Sequence, residues 1–464
     1  MTRPLVLSAL GLILSSGSAA LAQDAPSFPC LNPPTLGPTF PGDTLLSDQQ
    51  SFNCFAWQEF IAVTWPQAGG DPGVYGDPGG GATVFETFMT SAELMPPADY
   101  AAPPEAAEGV RQLARTAKLD GNFNPGSDIN EATPTTAWLA DRDGNLVWYE
   151  ILVNDAEADY IIGNQLFKAA SQRAMVEDGG RIDLPMGVFN GSSGAAEFKA
   201  AWLSVTDPDD PRWTRYLTAD AQFCSGTGGD QVCTTGTVAL VGLHILHKTS
   251  AQPSWTWSTF DHVDNAPDQA QVDAGTLDRE YRFYRESGCV EMPVPESCAA
   301  FDNATTTSCL PNVSPAYALK DFQGGVVDPG SACQPYPIQV TRQFSLPSTN
   351  ENPIVATNAA AQAMIAAANP DSVFQYYQLV NVLWADSPVD ENAGATAPMS
   401  PLSETAFRPA LNAFKVSNPM LETYAQDVSC VECHSGATIK DGGGSDGVPA
   451  YASDYSFIFG MAQQ

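Results

Sequence analysis

The spacing of apolar residues changes character along this chain. After Ser47-Asp48, a pair suited to an N-cap, Phe52, Phe55, Ala56 and Phe60 recur near helical spacing. This predicts a helix through about Ile61, ended by Trp65-Pro66. Residues 69–81 carry only Gly and Pro turn signals, and 23–46 and 93–107 are Pro-rich stretches of extended surface chain. From about 137 the period falls to two. Ala137-Trp138-Leu139 and Leu146 to Val153 flank Asp141-Arg142-Asp143-Gly144-Asn145, which predicts a β-hairpin. Phe198 to Leu203 predicts a further strand. Thr237 to Lys248 is apolar on both faces, as a central strand must be, and the alternating run Trp255 to Phe260 suits its neighbour.

Downstream the pattern becomes helical again. Asn358 to Ala368 is Ala-rich, with Thr357 or Asn358 as cap and Asn369-Pro370 as stop. Phe374 to Trp384 predicts a second helix, and Asn418-Pro419 opens a short third that leads to Cys430. The fold class expected is α+β, a β-rich, sandwich-like core followed by a helical C-terminal segment. The divisions are 1–22, an export signal; 23–136, an arm and helix packed on the core; 137–345, the β-rich core, with a Cys- and Pro-rich insertion over about 286–336; and 346–464, the helical segment.

Composition narrows the setting. Arg3, the apolar run Leu5 to Leu14 and Ala20-Leu21-Ala22 form a cleavable signal peptide cut after about Ala22, and no later run is long enough to span a bilayer. The mature chain is therefore expected in the periplasm without a transmembrane anchor. A net charge of −33 excludes nucleic acid as a natural partner. It suits a redox partner with a basic docking surface, and is equally common among exported proteins of salty habitats. Of ten cysteines, all but Cys430 and Cys433 read as disulfides in an exported chain. Short loops favour Cys30–Cys54, Cys224–Cys233, Cys289–Cys298 and Cys309–Cys333.

The remaining two cysteines stand in Cys430-Val431-Glu432-Cys433-His434. C-x-x-C-H is the attachment signature of c-type haem: both thiols form thioethers with the vinyl groups, and the adjacent imidazole is carried under the iron. A zinc site needs a second ligand pair, and residues 435–464 contain no Cys or His. One haem c is therefore expected, with His434 as one axial ligand. Only Met461 lies downstream, so the other side of the iron must come from elsewhere. His244 leads, His247 and then His262 follow, and Met399, Met420 and Met461 are weaker candidates. On a strand, His244 and His247 point to opposite faces, so one at most reaches the iron. Trp255 and Trp257 are read as core. The Gly/Asp-rich run 441–447 fits no EF-hand spacing.

Several stretches together resemble the exported bacterial proteins called cytochrome c family proteins. They are Trp57 to Pro66, Val241 to Thr249, Trp255 to Asn265, and Met420 to Tyr424 leading into Ser429 to His434. The resemblance implies one covalently bound haem in a chain much larger than a simple electron carrier, and no settled substrate. Two functional classes follow. A six-coordinate iron makes an electron-transfer protein; an open distal site beside the β-rich domain makes a haem-dependent oxidoreductase acting on peroxide or another small molecule. A haem-bearing docking module is a third.

Overall fold

The computed structural model describes residues 26–96, 111–114, 138–225, 232–291, 293–298, 309–317, 322–323, 326–327, 331–385, 416–430, 434, 436–440 and 451–463. For 111–114, 224–225, 232–234, 322–323 and 326–327 it describes the backbone alone. The signal at 1–22, Met399, Cys433 and the 441–447 run lie outside the described residues.

Strand β6 (Val232–His247) is the axis of the fold, and its apolar run is buried on both faces as a central strand requires. One edge pairs with β4 (Ala196–Val205). The other pairs first with β5 (Thr218–Ser225) and then with β7 (Thr256–His262). Beyond β4 lie β3 (Val147–Val153) and β1 (Met89–Thr90); β2 (Arg111–Ala114) runs parallel to β5, and β10 (Tyr377–Leu383) flanks β7. These form one eight-stranded sheet, and β8 (Phe322–Gln323) with β9 (Val326–Val327) form a separate two-stranded ribbon. The fold is α+β. The expected sandwich is not formed among the described residues: helices and connecting chain, rather than a second sheet, cover the faces.

Helix α1 (Gln49–Val63) begins where expected, with the Asp48 carboxylate accepting from Ser51 N at 2.8 Å. It buries Phe52, Trp57, Phe60 and Ile61, each large side chain contributing about 1.5–3 kcal/mol. Helix α6 (Ile354–Ala368) packs beside it and starts before the expected cap. Thr357 instead donates to Pro353 O inside the first turn, and Asn358 is buried against Trp57. Short helices α2 (Ser91–Leu94), α3 (Asp155–Gly163), α4 (Ala169–Glu177) and α5 (Gln269–Ala274) complete the set.

Residues 374–384 are not a helix. A 3-10 turn over Val373–Tyr376 leads into β10, of whose seven residues six pair with β7 and Val380 is passed over at a bulge. The β-branched Val380 and Val382 and the buried edge of β7 outweigh the helical reading. The boundary near 345 therefore does not separate a β part from a helical part. Likewise 418–422 is one tight turn, with Leu421 N and Glu422 N both donating to Asn418 O.

Cys30–Cys54 pairs as expected. Cys224 and Cys233 are opposed in the β5–β6 register, their side chains lying outside those described. The insertion pairs Cys289–Cys309 and Cys298–Cys333, not the shorter loops expected. Burial explains the exchange: Cys298 and Cys333 both sit in the core with Tyr336, whereas Cys289 and Cys309 are half-buried.

Candidate haem site

The sheet sorts the histidines. Leu243, Ile245 and His247 of β6 face α1; Gly242, His244 and Leu246 face the C-terminal segment. His247 is closed in. Its Nδ1 meets Glu59 Oε1 at 2.7 Å, its Nε2 bonds Ser193 O, and its ring stacks on Phe55 at 5.7 Å. Burial raises the Glu59 carboxyl, with the His247 contact opposing it. Both nitrogens of His247 are committed on the face toward α1, away from the face that carries the motif. His262 is closed too, with Nε2 on Arg215 O, Nδ1 accepting from Asp264 N and the ring 3.7 Å from Tyr216. Burial pushes it down to about 3.

The opposite face carries the motif. Gly242 lets the Asn418 turn approach: a Cβ there would lie 3.2 Å from Met420 Cβ and 3.3 Å from Asn418 Nδ2. Asn418 Nδ2 donates to Thr259 Oγ1 and Phe260 O, and Tyr149 donates its hydroxyl proton to Met420 O. The turn aims Glu422 at β6. Its Oε2 accepts from Asn418 N at 2.7 Å and its Oε1 meets His244 Nε2 at 2.5 Å. Burial opposes the Glu422 charge, but His244 and then Lys199 outweigh it and hold the carboxyl below its usual range. Lys199 lies directly across the sheet from His244. Among the described residues no hydrogen bond reaches His244 Nδ1.

Cys430 follows, half-buried against the second core cluster with Leu246, Trp257 and Tyr455. His434 packs edge-on against Trp257 at 4.8 Å and Phe457 at 5.1 Å. Its Nδ1 donates to Tyr455 O at 2.8 Å, which fixes the tautomer and leaves Nε2 to ligate. Burial draws His434 down to about 4, and the Lys199 and His244 charges act in the same direction. His434 and His244 therefore share one neighbourhood. The loop that holds His434 is itself strained: Asp454 and Tyr455 are consecutive non-glycine residues at φ 56° and 65°. Lys248 Nζ at 2.6 Å and Leu184 N at 2.7 Å pin Asp454 in that conformation.

These residues fit a c-type haem: a half-buried thiol, an imidazole oriented through Nδ1, and aromatic walls from Trp257 and Phe457. Trp257 is thus both core and site wall, whereas Trp255 is core alone. Met420 is buried within the turn, and Met461 is exposed. Glu422, Tyr455 and Lys199 escaped the sequence reading. Glu422 lay within the Met420 to Tyr424 stretch of the resemblance but nothing there gave it a role, and a backbone carbonyl such as Tyr455 O leaves no signal. No group of three or more metal-ligating side chains occurs among the described residues, and no helix among them is long and apolar enough to cross a membrane. No family model matches the chain, and neither the curated proteins nor the solved structures yield a match.

Proposed function

We propose that the chain is an exported monohaem c-type cytochrome that transfers electrons. The observation that carries this is the hydrogen bond from Nδ1 of His434, the histidine of C-x-x-C-H, to Tyr455 O, which leaves Nε2 for ligation. Cys430 and Cys433 would hold the haem covalently, with His434 on one side of the iron. When bound, the haem supplies a one-electron couple. His244 would be the second ligand in this reading: Glu422 orients it through Nε2 as Tyr455 orients His434 through Nδ1, and each ring keeps one nitrogen. The net charge of −33 favours a partner with a basic docking surface.

A second reading, a haem-dependent oxidoreductase, draws on the same dyad. A histidine held by a carboxylate beside Lys199 also suits proton transfer to a small substrate at an open iron. Optical spectra of the exported protein, ferric and reduced, with and without carbon monoxide, separate the two. A low-spin spectrum indifferent to carbon monoxide, turned high-spin by His244→Ala, supports electron transfer. Ready carbon monoxide binding by the unmodified protein moves the assignment to the enzyme. Absence of haem absorbance, from a host that matures c-type cytochromes, overturns both.

A further inference from the structure

Behind the His434 loop lies a buried carboxyl pair that neither reading uses. Glu157 stands in the first turn of α3 and Glu197 on β4, and both are buried. Neither oxygen of Glu157 receives a hydrogen bond from a donor, and Glu197 Oε1 receives none. Asn154, the cap of α3, brings the two together: its N–H donates to Ala196 O, and its Oδ1 accepts from both Ala196 N and Glu157 N, so the first turn of α3 sits over β4 at Glu197. Asp454 is buried nearby, and Lys248 is the buried cation of the group, bonded to Asp454 and to part-exposed Asp183. Tyr160 closes the group by accepting from Asp183 N.

Charge counting constrains this cluster. Three buried carboxyls, Glu157, Glu197 and Asp454, surround one buried ammonium, so full ionisation leaves uncompensated negative charge away from water. Two carboxylates in contact repel, whereas one proton between them supplies the donor that both lack.

We propose that Glu157 and Glu197 form a proton-binding site that takes up one proton when the haem iron is reduced and releases it on oxidation. This rests on the haem reading above. The link is short. Asp454, the carboxyl of this group bonded to Lys248, directly precedes Tyr455, whose carbonyl accepts from His434. Across the sheet, Glu197 is opposite Leu246 and Leu246 opposite Trp257, the wall of His434. That is two strand spacings, about 10 Å. At about 12 Å and an effective dielectric of about 20, one unit of charge shifts a proton equilibrium about tenfold. Burial already lifts Glu157 well above its usual range and Glu197 to about 7, inside the working pH range.

The test uses the full exported chain, Glu157→Gln and Glu197→Gln, with two readouts. Infrared difference spectra should show a protonated-carboxyl band near pH 6 that both substitutions remove. Spectroelectrochemistry should show a midpoint potential that falls as pH rises from 5 to 9, by about 59 mV in all, which is the tenfold shift converted for one electron. In either variant this slope should flatten. The infrared band is also readable on chain without haem, so loss of the haem reading and loss of the proton site are distinguishable. Absence of the band in the unmodified protein overturns the site, and a pH slope kept by both variants overturns the coupling.

Discussion

The two faces of the sheet satisfy their buried polar groups in opposite ways. Against α1 and α6 the polar atoms are mostly neutral amides, donor matched to acceptor: Gln49 to Asn53, Asn53 to Asn352, Asn352 to Asn381, and Asn358 to Trp57 and to both backbone atoms of Leu379. Such a network locks packing, and the buried Glu59–His247 pair is an ionisable exception on this face. Against the C-terminal segment the polar atoms are charged and incompletely matched: His244 with Glu422, Lys248 with Asp454, and Glu157 facing Glu197. The same strand, β6, supplies both faces, so the contrast lies in what covers it. One cover is a pair of helices built for stability. The other is a chain of turns that holds reactive groups under strain, as Asp454 and Tyr455 show.

The contrast breaks most completely at Gly242. Gly242→Val places a branched side chain where Met420, Asn418 and Leu421 already lie within 3.4 Å, so the turn must lift. A stability loss of about 2–3 kcal/mol is expected from overpacking. Protease sensitivity should begin near residues 416–430 and haem retention should fall, while α1 and α6 keep their hydrogen-exchange protection. Equal loss of protection on both faces would show that the two covers do not act separately.

The complementary break is Asn358→Leu. It strands Trp57 Nε1 and the Leu379 N–H among apolar neighbours, and costs about 2 kcal/mol by denaturant titration. Haem spectra and the pH slope of the potential should be unchanged, because nothing in this network touches His434. A spectral change would place the two faces in one cooperative network.

The sequence showed these faces unequally. Helical spacing placed α1 and its Asp48 cap, and the continuous apolar run placed β6, because local periodicity governs both. It misjudged β10, where apolar residues buried on both sides carry no period, and it misjudged the insertion cysteines, whose pairing follows burial and not loop length. At the site, C-x-x-C-H stood out because its residues are adjacent in sequence. The opposition of His244 and His247 followed from strand geometry. What could not be read was the support. Glu422 lies 178 residues from His244, Tyr455 acts through its backbone, and Glu157 meets Glu197 only because α3 folds back over β4.

The smallest expected effect sharpens the comparison on the charged face alone. Lys199 stands across from His244 in the β4–β6 register, is half-buried, and its charge is felt at both Glu422 and His434. Lys199→Met keeps the aliphatic stem that packs along the sheet and removes only the charge, so stability should change by about 0.5 kcal/mol or less. With that positive charge gone, the ferric state becomes relatively easier to hold, and the midpoint potential should fall by about 20–40 mV at low ionic strength. Added salt should shrink the difference, since partial exposure lets counterions screen the lysine. Removing Arg215, a cation on the α1 side that stacks over Tyr376 and pairs with Asp264, should leave the potential where it was. If both substitutions move the potential equally, the field at the iron is set by net charge, and the distinction between the two faces is one of packing alone.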